Sequence, residues 1–158
     1  MRRIGVTGHQ NLPAAFLPQI LEGIERVLAR DPGKCTGLTS LAGGTDQLFA
    51  RAVLEKGGRL HAVIPCARYA SAFTDERALA SFHELLAAAS EVETLPHEQP
   101  SEQAFLEAGH RVVDLSDLMV AVWDGQKAKG LGGTADIVQY AHSRSRECVI
   151  VWPQGATR

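Results

Sequence analysis

Three glycine-bearing stretches hold the side chains and backbone best suited to gripping a ligand. The longest runs from Asp114 to Asp136 and reads as a buried strand, a glycine-rich loop and the start of a helix. Gly130, Gly132 and Gly133 let the backbone bend sharply and approach a ligand closely. Thr134 is placed to cap the following helix, where free N–H groups and the helix dipole favour an anion. Lys127 and Lys129 share this loop, either as phosphate contacts or as a solvated loop tip. The predicted chemistry is a hold on the phosphate of a nucleotide-like ligand.

The second stretch is Gly43-Gly44-Thr45-Asp46. Asp46 falls in the first turn of a predicted helix, where the dipole alone favours a carboxylate. Its functional alternative is a hydrogen bond from Asp46 or Thr45 to a ribose or a base. The third stretch is Gly8-His9, after the first predicted strand, which would line the floor of a crevice. Arg111 lies on the helix before the long stretch. It is either a phosphate-binding guanidinium or an ordinary surface arginine. Gly109 inside the same helical pattern points to close packing or a nearby ligand.

Other chemistries find no support. No Gly-Lys-Ser/Thr occurs, so there is no Walker A loop, and Gly5-Val-Thr-Gly8 lacks the dinucleotide spacing. No Gly-x-Ser-x-Gly elbow exists. The histidines show no metal-ligand spacing, and no metal or resident cofactor is expected. Cys66 has no assigned base beside it and reads as a buried thiol.

These residues must be positioned by a scaffold, and the apolar patterns describe one. Leu118 to Trp123 is apolar without alternation, which suits a central parallel strand covered on both faces. Further strands are predicted at Arg3–Thr7, Thr36–Ala42, Arg59–Ile64 and Glu147–Trp152, with an edge strand at Val92–Leu95. Helical spacing joins them: Phe16 to Leu28, a run carrying Leu48, Ala52 and Val53, one capped by Thr74, one opened by Pro100-Ser101, and one from Ala135 to Ser143. Strands alternating with helices predict an α/β fold. The expected form is a three-layer Rossmann-like domain, a mostly parallel sheet with helices on both faces. The glycine turns would meet at the carboxyl edge of the strands, where such sheets bind ligands.

The length of 158 residues predicts one domain, residues 1–153, with 154–158 as a loose tail. A formal net charge of −2 gives no support for DNA, so nucleic acid is an unlikely expected partner, and no apolar run is long enough for a membrane span. Three widely spaced cysteines read as reduced thiols, which places the chain in the cytoplasm.

From about Arg3 to Trp152 the chain resembles the SLOG superfamily, which includes the DprA/Smf proteins, the LOG phosphoribohydrolases and YpsA-like proteins. The resemblance is most specific at Gly109-His-Arg-Val-Val-Asp-Leu-Ser-Asp-Leu-Met-Val-Ala-Val-Trp-Asp-Gly125, followed by Gly132-Gly-Thr-Ala-Asp136. Ala42-Gly-Gly-Thr-Asp46 looks like the second-strand loop of DprA. The resemblance implies strand order 3-2-1, with Leu118–Trp123 beside the first strand and the last strand outside it. It also implies a homo-oligomer, a dimer above all, and a nucleotide or nucleotide derivative at Gly8, His9, Gly43, Gly44, Thr45, Asp46, Arg111, Gly132, Gly133 and Thr134. LOG enzymes carry a glutamate three residues after the loop threonine; here that position is Ile137, and Asp136 lies about 100° away around the helix. The leading expectation is therefore a nucleotide-binding sensor or accessory protein. The enzyme alternative is N-glycosidic hydrolysis of a nucleoside monophosphate, with Asp136, Asp46 or Asp124 orienting water or ribose hydroxyls. A third is a structural partner with a vestigial pocket.

Overall fold

A computed structural model describes residues 1–31, 33–127 and 133–156. Six parallel strands form one sheet: β1 (Arg2–Gly8), β2 (Cys35–Thr39), β3 (Arg59–Ile64), β4 (Glu91–Thr94), β5 (Leu118–Val122) and β6 (Glu147–Val151). Five helices connect them: α1 (Leu17–Leu28), α2 (Thr45–Glu55), α3 (Glu76–Ala88), α4 (Glu102–Leu115) and α5 (Thr134–Ser143). The spatial order is β4-β3-β2-β1-β5-β6. This is the expected α/β architecture, with the sheet wholly parallel among the described strands.

Every residue of β5 is buried, as its unbroken apolar run requires of a strand covered on both faces. Alternate residues feed two cores. Ile4, Val6, Leu118, Val120 and Val122 pack with α1, α2 and α3, through Ile20, Ile24, Phe49, Val53, Phe82 and Leu85. Leu38, Val63 and Met119 pack on the other face with Ala108, Val112 and Val113 of α4 and Ile137 and Ala141 of α5. Gly109 lets α4 approach α5: a Cβ there would collide with the Ile137 side chain.

Local chemistry sets the helix starts. Pro18 sits in the first turn of α1, where its missing N–H costs nothing. Ser101 Oγ accepts from Ala104 N at 3.0 Å and opens α4. Asp75, rather than Thr74, caps α3 by accepting from Arg77 N at 3.3 Å. Gly133 is the N-cap of α5, and Thr134 is its first helical residue, with no side-chain capping bond. After β6 the chain turns, and Trp152 Nε1 donates to the Ala156 carbonyl at 3.1 Å.

Candidate functional site

The strand order reverses between β1 and β5, and there the sheet's carboxyl edge opens into a crevice of about 660 Å³. The loops after β1 and β2 form its middle. Gly8 lies on the floor and presses so closely on Thr45 that a Cβ would strike that side chain. Gly44 has φ +74°, and a Cβ there would run into the Gln10 carbonyl. The two loops are thus interlocked through backbone that only glycine supplies at Gly44. Gly43, Gly44 and Asp46 line the cavity.

His9 and Thr45 serve this joint from behind. The Thr45 N–H and hydroxyl both donate to the His9 carbonyl, at 3.2 and 2.8 Å. His9 Nε2 lies 3.2 Å from both the Asp124 N–H and the Asp124 carboxylate. Its ring meets Trp152 edge-on at 5.5 Å. His9 therefore ties the first loop to α2, to the end of β5 and to β6, and Gly8 rather than His9 forms the floor. Asp124 also accepts from Gln126 N at 3.0 Å, a turn that follows β5.

The loop after β2 is strained. Leu41 has φ +59°, which a γ-branched residue rarely adopts, and is fully buried. It is held by its N–H to Thr39 Oγ1 at 3.0 Å and by its carbonyl, which accepts from Gln47 Nε2 at 3.2 Å. Asp46 folds back under this loop and accepts from Ala42 N at 3.3 Å. Burial pushes the Asp46 carboxyl up to about 6; hydrogen bonds from the Ala42 N–H, the Thr39 hydroxyl and the Ser40 N–H oppose that rise. Of the three carboxylates considered for catalysis, Asp46 lines the crevice and Asp124 and Asp136 do not.

The β3 side is a wall that the sequence did not announce. A short 3-10 turn at Tyr69–Ala72 brings Tyr69 and Phe73 to the cavity, and α4 adds Phe105. Tyr69 meets Phe73, Phe82 and Phe105 edge-on at 5.3, 5.4 and 6.2 Å. Ala67 N and Arg68 N donate to the carbonyls of His97 and Glu98, at 2.8 and 3.0 Å, fastening this segment to the approach to α4. Asp75 and Glu102 stand at the rim. Among the described residues lining the crevice there is no lysine or arginine.

The opposite side is the start of α5, with Gly133 and Ile137 facing the cavity. Ile137 is 2% exposed, a core side chain packed on Gly109, at the position where the resemblance led one to look for an acid. Thr134 is buried beside it. Gly130, Gly132 and Lys129 lie outside the described residues. Lys127 is exposed and does not line the cavity. Arg111 is not brought to the crevice: its Nε pairs with both oxygens of Glu93 on the edge strand β4, at 3.1 and 3.3 Å. Among the described residues no group of three or more metal-ligating side chains occurs, and no helix is long and apolar enough to cross a membrane.

Neither a protein-family model nor a curated protein matches the sequence. Solved structures do. The DNA processing protein A (DprA) of Streptococcus pneumoniae matches 94% of the chain at 17% identity and a TM-score of 0.71; the chain spans 50% of that protein's length. The Helicobacter pylori DprA, described for its single-stranded DNA binding mode, matches 99% of the chain at 16% identity and 0.73, over 67% of its own length. The molybdenum cofactor carrier protein of Chlamydomonas reinhardtii matches 97% at 18% identity and 0.57, over 78% of its length. The likeness is one of fold: the chain has the Rossmann-like fold of these structures, as expected. One expectation falls. Nucleic acid cannot be set aside as a partner when the same fold, in the H. pylori DprA, belongs to a protein described as binding single-stranded DNA. A net charge of −2 was a poor guide, because backbone N–H groups and helix N-termini hold phosphate without cationic side chains.

Proposed function

We propose that residues 1–153 form a single cytoplasmic unit that binds a nucleotide or nucleotide-derived ligand in this crevice, as a sensor or accessory protein. The observation that carries the reading is the polarity of the cavity along the sheet edge. Backbone N–H groups at the start of α5 lie at one end, beside β5, and the aromatic wall lies at the other, beside β3. Three strand spacings separate β5 from β3, about 14 Å, a span matched to a nucleotide laid from phosphate to base. The phosphate lies against Gly133 and Thr134, Gly8 and Gly43 to Gly44 approach the ribose, and the base rests against the aromatic side. With Ile137 in the place of an acid, the unit holds a ligand without cleaving it.

Isothermal titration with AMP, ADP-ribose, NAD and cyclic dinucleotides tests this. Binding of at least one is expected, and its loss in Gly133→Asp with the fold intact; silence from all of them overturns the reading. A second reading, favoured by the likeness to DprA, is that the crevice takes a nucleotide of single-stranded DNA. Fluorescence anisotropy of a labelled oligonucleotide separates the two, because free mononucleotides then compete weakly. Light scattering addresses the expected homodimer.

A further inference from the structure

We propose that the β3 end of the crevice takes a positively charged heteroaromatic ring, so that the ligand is a nucleotide whose base is an N-alkylated pyridinium or purine. This rests on the nucleotide-binding reading and names the class of base.

One face of α4 turns to the crevice. Glu102, Phe105, Gly109 and Val112 recur at intervals of three and four, and all line it. Glu102 therefore shares a helix face with Phe105, one turn earlier. The approach to α3 repeats the pairing: Phe73 and Asp75 lie two residues apart and both line the crevice. Tyr69 joins the two segments, with its ring 5.3 Å from Phe73 and 6.2 Å from Phe105. Each segment that brings a phenylalanine to this end also brings a carboxylate.

Both acids sit at helix starts. Asp75 caps α3 by accepting from Arg77 N at 3.3 Å, and Glu102 lies in the first turn of α4. A helix N-terminus is worth roughly half a positive charge. A full carboxylate exceeds that, so each helix end remains negative on balance. The neighbouring Arg68 and Arg77 do not line the crevice, and Arg68 pairs with Glu98 at 3.2 Å.

Aromatic rings attract cations through the negative charge of their faces, and carboxylates on the same wall act in the same sense. Three rings also offer a planar ligand a surface to pack on, which an alkylammonium group would not use. At the other end the start of α5 favours an anion. A nucleotide that is negative at its phosphate and positive at its base matches both ends. A neutral base gains only the packing.

The test is isothermal titration of the whole chain with two matched pairs. Nicotinamide mononucleotide is set against its dihydro form, and 1-methyladenosine monophosphate against AMP. Each pair shares phosphate and ribose and differs in the charge of the ring, so the phosphate end cancels. The cationic member of any pair that binds should bind about tenfold tighter, and added salt should shrink that ratio. Asp75→Asn combined with Glu102→Gln should cut the ratio to about threefold or less, while the neutral member keeps its affinity. Asparagine caps a helix as well as aspartate does, and the thermal midpoint checks that the fold is kept. Equal affinity within every pair that binds, or a ratio that the double variant leaves unchanged, overturns the charged-base reading and leaves nucleotide binding in place. Binding of none of the four overturns both.

Discussion

The two sides of the crevice are made of different material. Where the loops after β1 and β2 meet, the wall is backbone: Gly8 against Thr45, Gly44 against the Gln10 carbonyl, and Leu41 in a left-handed conformation. Along the β3 side the wall is side chain: Tyr69, Phe73 and Phe105, drawn from two segments some thirty residues apart in sequence. In the first region shape and stability are tied most tightly at Gly44, where an added Cβ would have to displace the Gln10 main chain, while at Gly8 it would meet the Thr45 side chain. In the second, a ring can lose its polar atom without moving its neighbours. Binding and folding are therefore separable on the β3 side and inseparable at the glycine joint.

That contrast can be broken most directly at Gly44. Gly44→Ala combines a positive φ with a Cβ directed at a carbonyl and should cost about 3 kcal/mol, or roughly 6–12 °C in midpoint for a chain of this size. Urea melts that show a loss under 1 kcal/mol would mean the loops relax and are not interlocked.

Asp46→Asn probes the seam between the regions. The folded carboxyl titrates near 6, above the ordinary value of 3.8, so between those values the folded state holds more protons than the unfolded one. Stability from this group is full below about pH 4 and declines as pH rises through 6. The Asn variant should be more stable than the parent at pH 8, by about 1–3 kcal/mol, and should lose that advantage near pH 4. Denaturant midpoints across pH 4–8 check the sign, and a larger advantage at low pH would refute the account.

Gly109→Ala tests whether α4 and α5 are packed to contact. The flexible end of Ile137 would have to yield, at a cost of about 1–2 kcal/mol by thermal melting. The smallest effect belongs to Arg111→Ala. An exposed pair with Glu93 is worth about 0–1 kcal/mol, and ligand affinity should not change. A clear loss of nucleotide binding in this variant would return Arg111 to the site from which its ion pair removes it.

The strands and the glycine turns were legible because both are written locally, whereas the order of the strands came only from the resemblance to a known family. The unbroken apolar run of β5 marks a doubly covered strand, and glycines mark where loops must bend. Gly109 was legible as a packing contact for the same reason. The placement of Arg111 was not, since it depends on a strand-borne glutamate eighteen residues away that helix periodicity does not sense. Tyr69 escaped notice for a related cause. Residues 66–73 carry neither the period of a helix nor that of a strand, so nothing local says which side chain turns inward. The left-handed Leu41 gives no warning either: its conformation is imposed by Thr39 and Gln47, not chosen by leucine.

The position of β1 has a consequence in time. It is central in the sheet, paired on one side with β2 and on the other with β5, and His9 at its end holds Asp124 from 115 positions away. Contacts of such long sequence separation form late and slow the search for the native state. As the chain is synthesised, β1, β2 and β3 can associate while β1 still presents an open edge that only β5 can close. The crevice floor is therefore among the last surfaces to be completed, and until it closes, the unpaired side of β1 is where misassembly with another chain would begin.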